Sequence, residues 1–283
     1  MKKQRQNFIF TLLVAMQLIT FFSCKNETNK HEKSVIKNWS FDKKIALDSF
    51  GVIGIASAGD GNLWLSDADN NQLIKINTDG QILETQDGFD RPMHIAERDE
   101  ALLVAEYSAD IIRAIHHGHN DTLDFPEDFD APSGVDAEGN KVAVADFYNH
   151  RIVFTDSTAN LTFGQKGTAP GELTYPTDVQ FAHGKLWVAD AYNHRAQVFD
   201  LTGKHLKTFG EAEKMNAMTG IFVGEKQVFV TDFENSRVLV YDLDGNLEQV
   251  ITDNLDKPTD ALIVGNLLFV VNYHGRFVSI FKL

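Results

Sequence analysis

One phrase recurs along this chain and constrains its fold more than any other feature. Val144-Ala145-Asp146-Phe147-Tyr148-Asn149-His150-Arg151-Ile152 returns as Val188-Ala189-Asp190-Ala191-Tyr192-Asn193-His194-Arg195-Ala196 and as Val230-Thr231-Asp232-Phe233-Glu234-Asn235-Ser236-Arg237-Val238. A weaker copy runs from Leu65 to Leu73, and degenerate copies start at Glu106 and Asn272. Taking the acidic or amide residue as marker (67, 106, 146, 190, 232 and 272), the steps are 39, 40, 44, 42 and 40 residues. Each repeat reads as four short alternating strands cut by turns such as Asp79-Gly80 and Asp244-Gly245, which is strand-and-hairpin grammar. A strand-rich period of about 40–45 residues is one blade of a β-propeller. The expectation is an all-β, six-bladed β-propeller over residues 37–283.

The sixth repeat ends early. It offers strands at Thr259–Val264, Leu267–Val271 and Phe277–Leu283, and then the chain stops without an outer strand. Residues 39–47 precede the first repeat and alternate like a strand. They are expected to complete the last blade and close the ring, hiding sheet edges that otherwise invite aggregation. The repeated Asp–Arg pair is expected to lock the turn between second and third strands by bidentate pairing, with Asn149 taking the left-handed backbone there. Its recurrence in blade after blade marks architecture rather than catalysis.

The chain is acidic, with a formal charge of -14. Such a surface repels phosphate backbones, so no nucleic-acid partner is expected. There is one cysteine, Cys24, outside the repeats. An intrachain disulfide and a Cys-rich metal site are therefore excluded. Cys24 follows a basic start (Lys2, Lys3, Arg5) and an apolar stretch from Phe8 to Phe22, the layout of a removed signal segment. Phe21-Phe22-Ser23-Cys24 resembles a bacterial lipoprotein cleavage box. The resemblance implies a signal peptide over 1–23, a diacylglycerol-bearing Cys24 and membrane anchoring through that lipid. Polar residues 24–36 then read as a tether. The Pro-Thr-Asp-Val at 176–179, the Asp-x-x-Asn-His-Arg phrases and Gly164-Gln165-Lys166-Gly167 leading to Gly171-Glu172-Leu173 resemble NHL repeats. That family includes scaffolds, ligand binders and some metal-dependent enzymes, so the resemblance implies a fold more than an activity.

Two constellations are candidates for chemistry. The residue two after each turn-setting position is Gly54, His94, Gly134, Asp178, Gly220 and Asp260. Glycine and polar residues alternate, so His94, Asp178 and Asp260 would converge on the channel from alternate blades. One imidazole and two carboxylates suit a divalent metal such as Zn²⁺ with an open position, and fall short of the six to eight oxygens of Ca²⁺. No other cofactor is expected. The second constellation is aromatic: Tyr107, Phe147, Tyr148, Tyr192, Phe233 and Tyr273 follow the markers and should share the channel-mouth face, with Asp69, Asp110, His150, His194, Glu234, His274 and Arg276 interleaved. Aromatic rings with polar tips suit a protein, peptide or glycan ligand.

Other motifs are weaker. His116-His117-Gly118-His119 reads as a solvated outer turn. Ser133 near Asp136 lacks a paired histidine at readable spacing, and there is neither a Gly-x-Ser-x-Gly elbow nor a phosphate-cradling loop. The combined expectation is a monomeric, lipid-anchored envelope module, on the periplasmic side of the outer membrane or at the cell surface, that binds a partner through its channel-mouth face. The alternative is a metal-dependent hydrolase or lyase built on His94, Asp178 and Asp260.

Overall fold

Six four-stranded antiparallel sheets follow one another along the chain and make a six-bladed β-propeller. The computed structural model describes residues 38–283 except positions 117 and 157; Cys24 and the expected tether lie outside the described residues. Blades 1 to 5 occupy residues 52–87, 92–122, 132–163, 176–209 and 218–251. Blade 6 takes three strands from residues 258–282 and its outer strand, Ser40–Ala46, from the other end of the chain. That strand pairs antiparallel with Phe277–Lys282 from Ser40↔Lys282 to Ala46↔Phe277, so the ring closes as the missing outer strand requires. Among the described residues no helix is long and apolar enough to cross a membrane.

The apolar core is divided rather than central. Among the described residues six buried clusters are found, each drawing side chains from two adjacent blades. A sheet face of Val, Ile, Leu and Phe is covered only by its neighbour's face, which is why a single blade has no independent stability. The seam obeys the same rule. Trp39 is buried against blade 5, its ring edge-on to Phe229 at 5.6 Å. Its indole N–H donates to Gln227 Oε1 at 3.0 Å, and Gln249 bonds both its N–H and its carbonyl.

The recurring phrase builds one hydrogen-bonded device in all six blades. An oxygen of each marker accepts the backbone N–H sixteen residues earlier: Gly51 to Asp67, Asp90 to Glu106, Asp130 to Asp146, Thr174 to Asp190, Asn216 to Asp232 and Asp256 to Asn272, at 2.7–2.9 Å. Each marker is fully buried or nearly so, and the bond satisfies a backbone donor that water cannot reach.

Two expectations about this turn are corrected. The arginine pairing is not bidentate. Arg151, Arg195 and Arg237 give only Nε to the marker, at 2.6–2.9 Å. Their terminal nitrogens reach carbonyls of the preceding connector, including Asp128, Ala169 and Glu213, so the guanidinium ties two segments together. Nor does Asn149 take the left-handed backbone. His150 does, with φ of 55°, as do Asn71, Asp110, His194, Ser236 and Arg276 at the same position. Asn149 instead donates to the marker carboxylate at 2.9 Å.

The left-handed residue has its own task. Its side chain accepts the N–H of the residue that opens the next blade: Asn71 from Arg91, Asp110 from Ala131, His150 from Tyr175, His194 from Ala217 and Ser236 from Lys257. His150 and His194 are therefore blade-to-blade clasps, not free groups among the aromatics. Ser133 is likewise committed, donating its hydroxyl to the Pro176 carbonyl at 2.9 Å, as Thr177 and Thr219 do to Met218 and Pro258 at 3.0 Å.

Candidate functional site

The innermost strands start on the face that carries the marker turns and run away from it down the channel. Their third residues meet at one level. His94 Nδ1 lies 3.3 Å from Asp260 Oδ2 and 3.7 Å from Asp178 Oδ2, and one ligand atom from each residue falls within 4.8 Å of the others. All three residues are buried, at 4–7 % exposure.

The intervening glycines explain why these three blades carry the side chains. A Cβ on Gly54, Gly134 or Gly220 would stand 2.7, 2.8 and 2.4 Å from the Met93, Thr177 and Thr259 carbonyls, and 2.7–3.1 Å from the Cα of His94, Asp178 and Asp260 respectively. The backbone of each polar residue thus occupies the space a side chain would need on the preceding blade. Close approach of this kind is where glycine is required.

Each carboxylate is held by backbone donors. Asp178 Oδ1 accepts its neighbour's N–H (Val179, 2.8 Å) and Oδ2 that of Ile221 (2.9 Å). Asp260 repeats the pattern with Ala261 (2.7 Å) and Ile55 (2.9 Å). His94 is held on one side by a backbone hydrogen bond with Thr219. Its Nδ1 makes no well-formed hydrogen bond; Asp260 Oδ2, 3.3 Å away, acts on it first through charge and then as a weak acceptor. Burial opposes the imidazolium, yet the charges of Asp178 and Asp260 outweigh it and hold the His94 pKa up at about 9. Burial likewise lifts Asp178 to about 6, against the pull of His94.

Beneath the trio a cavity of about 180 Å³ opens down the channel, walled by Ile95, Val135, Val179 and Ile221. Asp136 lines it and accepts from Phe181 N–H at 2.7 Å. Burial raises the Asp136 pKa to about 7, helped by Asp178. Above the trio a recess of about 200 Å³ lies between Arg91, Phe233 and Tyr273. His94 borders both spaces and sits at the neck between them.

The aromatic residues divide into two groups. Tyr107, Phe147, Tyr148 and Tyr192 form one cluster over blades 2 to 4, with centroids 5.0–6.4 Å apart along the chain of contacts. Tyr175 joins it, 4.9 Å from Phe147 and 5.0 Å from Tyr192. Sequence reading missed Tyr175 because it precedes the inner strand rather than following a marker; its signal is the rim position also held by Arg91, Ala131, Ala217 and Lys257. Tyr148 and Tyr192 remain 48 % and 57 % exposed. Phe233 and Tyr273 stand apart, beside the recess. Tyr273 gives its hydroxyl to Asp69 at 2.9 Å and Arg276 reaches the same carboxylate at 3.2 Å, which spends them on the seam between blades 6 and 1. Lys257 covers Phe233 at 5.3 Å. His116 and His119 face each other across the outer turn of blade 2, away from both constellations; His117 lies outside the described residues.

No family model matches the chain, and no curated protein matches it in sequence. The fold is shared by solved structures. Virginiamycin B lyase from Staphylococcus aureus superposes with a TM-score of 0.65 at 15% identity, over 87% of this chain and 100% of its own. A gluconolactonase from Xanthomonas campestris gives 0.70 at 14% identity, over 84% and 88%. A propeller in a nidogen/laminin complex gives 0.61 at 18% identity, over 71% and 80%. Two of these are enzymes and one comes from a protein complex. At such identities the likeness is one of architecture.

Proposed function

We propose that this chain is a lipid-anchored, NHL-type envelope propeller, held to the membrane through Cys24, that binds a protein segment on the aromatic face of blades 2 to 4. The observation that carries the reading is the half-exposure of Tyr148 and Tyr192 within a five-ring cluster whose other members support them from below. Rings locked by one another lose little entropy when a partner docks, and tyrosine supplies both area and a polar tip. The rings meet at steep angles: 87° for Tyr148 with Tyr175 and 66° for Tyr175 with Tyr192. Such ridges and slots take aliphatic side chains of a peptide better than the flat face of a sugar.

Selection of peptides on the purified propeller, followed by affinity measurement, tests this. Replacing Tyr148 and Tyr192 together by alanine should weaken the selected peptides at least tenfold, about 1.4 kcal/mol, without moving the melting temperature. Peptides bound equally by both proteins would refute the assignment, and retention on a glycan array that the double substitution abolishes would replace peptide by glycan. A second reading, a metal-dependent hydrolase or lyase, is favoured by the convergence of His94, Asp178 and Asp260 at the head of a cavity. It first requires that the trio hold a cation.

A further inference from the structure

The geometry points to a divalent transition-metal site at the channel neck, with His94 Nδ1, Asp178 Oδ2 and Asp260 Oδ2 as ligands for a Zn²⁺-like ion. This assignment is independent of the aromatic binding face and prior to any catalytic reading, so it fails or stands without them.

Three observations carry it. The first is spacing. Ligands at about 2.0–2.2 Å from a tetrahedral ion stand roughly 3.3–3.6 Å from one another; the two imidazole–carboxylate separations are 3.3 and 3.7 Å, and all three ligand atoms lie within 4.8 Å of one another, so the two carboxylates would draw together on the ion. The second is the state of His94. A ring nitrogen that is fully buried and lacks a hydrogen bond is an exception that calls for a partner. An arriving cation that displaces the Nδ1 proton would find the lone pair aimed between the two carboxylates, 3.3 and 3.7 Å away, with the Thr219 backbone on the other side of the ring. That is the arrangement by which a supporting carbonyl fixes the tautomer of a ligating histidine. The third is the support of the oxygens. Ile221 and Ile55 N–H groups, each from an adjacent blade, hold Asp178 Oδ2 and Asp260 Oδ2 at 2.9 Å. Each oxygen keeps a second acceptor site facing the centre.

The rival account is an ion triad of imidazolium and two carboxylates with no metal. It leaves Nδ1–H without a well-formed hydrogen bond, and it buries two negative charges against one positive. An ion of charge two with a neutral imidazole balances the same groups. One imidazole and two monodentate carboxylates favour a four-coordinate borderline ion over Ca²⁺. The cavity below and the recess above give it two routes of entry and leave a coordination position to face one of them.

The test is metal uptake by the full propeller domain after chelator treatment and dialysis, with His116, His117 and His119 replaced by alanine so that the outer turn cannot compete. Titration with Zn²⁺ alone should show one equivalent per chain and a raised melting temperature. His94→Gln should weaken binding by more than the roughly 10–100-fold that loss of a supporting hydrogen bond alone causes, and Asp260→Asn should do the same. No uptake by the parent protein, or uptake unchanged by both substitutions, would overturn the site. If either variant fails to fold, Co²⁺ loaded into the parent decides instead. Intense visible absorption from a four- or five-coordinate ion supports the assignment, and the weak spectrum of a six-coordinate, solvent-like ion rejects it.

Discussion

Replacing Gly220 by alanine isolates the packing rule on which the channel depends. An added Cβ would lie 2.4 Å from the Thr259 carbonyl oxygen, 3.1 Å from Asp260 Cα and 3.2 Å from Thr231 Oγ1. Two of these three atoms belong to the backbone of blade 6, and the carbonyl is further held by the Thr231 hydroxyl at 3.1 Å. No rotamer change relieves the clash, so the inner strands of blades 5 and 6 must separate. Overpacking typically costs 1–3 kcal/mol, and a rigid backbone neighbour places this site at the upper end, about 3 kcal/mol. For a domain of this size about 1 kcal/mol corresponds to 2–4 °C, which gives a fall in melting temperature of roughly 6–12 °C. Gly224→Ala is the matched control. Its Cβ would meet nothing nearer than 3.5 Å, and reduced freedom of the unfolded chain should leave stability unchanged or raised by about 0.4–1 kcal/mol. Both variants are read by thermal unfolding and by the urea midpoint at constant slope. A Gly220→Ala protein that melts with the parent, or a control that falls as far, would show that blade contact does not dictate glycine at alternate positions.

Trp39→Ala should cost about 3–5 kcal/mol, because a 6 % exposed indole and its bond to Gln227 are lost where the ring is stitched; a drop in the urea-derived stability of less than about 1 kcal/mol would mean that the seam is not needed for closure. His150 should make stability fall on mild acidification. Burial, aided by Lys166 and opposed by Asp190, holds its pKa below 6.5, so its contribution is complete above pH 6.5 and declines as pH falls below that value, where the unfolded chain binds the proton more readily. His150→Asn should keep the clasp to Tyr175, as Asn71 keeps the equivalent one, and remove this part of the pH dependence; equal acid sensitivity of parent and variant, followed by urea titration at several pH values, would reject the clasp.

The propeller, its blade count and the role of the first strand were legible because they rest on period and alternation, which are properties of one-dimensional sequence. Ser40–Ala46 could be assigned to blade 6 by counting strands alone. The trio was legible for the same reason: a fixed offset from the turn-setting position places His94, Asp178 and Asp260 at one level of a ring. What could not be read were the contacts that turns and connectors make with one another. Tyr175 carries no repeat signature, yet neighbouring turns bring Tyr192 and Phe147 onto it. Arg195 was expected to pair face to face with Asp190, but the connector at residues 168–172 offers carbonyls that compete for its terminal nitrogens. Asp136 draws notice in the sequence only as a neighbour of Ser133; it lies two residues beyond Gly134 on the same inner strand and so shares its channel-facing side.

The clasp position shows how such a fold separates architecture from function. Asn71, Asp110, His150, His194 and Ser236 differ in size and charge, but each supplies an acceptor to the same kind of N–H from a left-handed backbone. Diversity there is permitted by the geometry and says nothing about activity. The channel neck is the reverse case. The nearest contacts of Gly54, Gly134 and Gly220 are with the backbone of the following blade, and Asp178 and Asp260 each also accept a buried N–H from a neighbouring blade; an amide could accept those bonds without a charge, and His94 Nδ1 takes no part in them. Three ionisable groups stand there instead, buried at a shared level and with one nitrogen unpaired. The inter-blade bonds need an acceptor at 178 and 260 but not a charge, and burying charge is costly unless something compensates it. The excess of chemistry over architectural need is greatest at this level of the channel, and that is the physical reason to look for bound metal there rather than at the histidines of the turns.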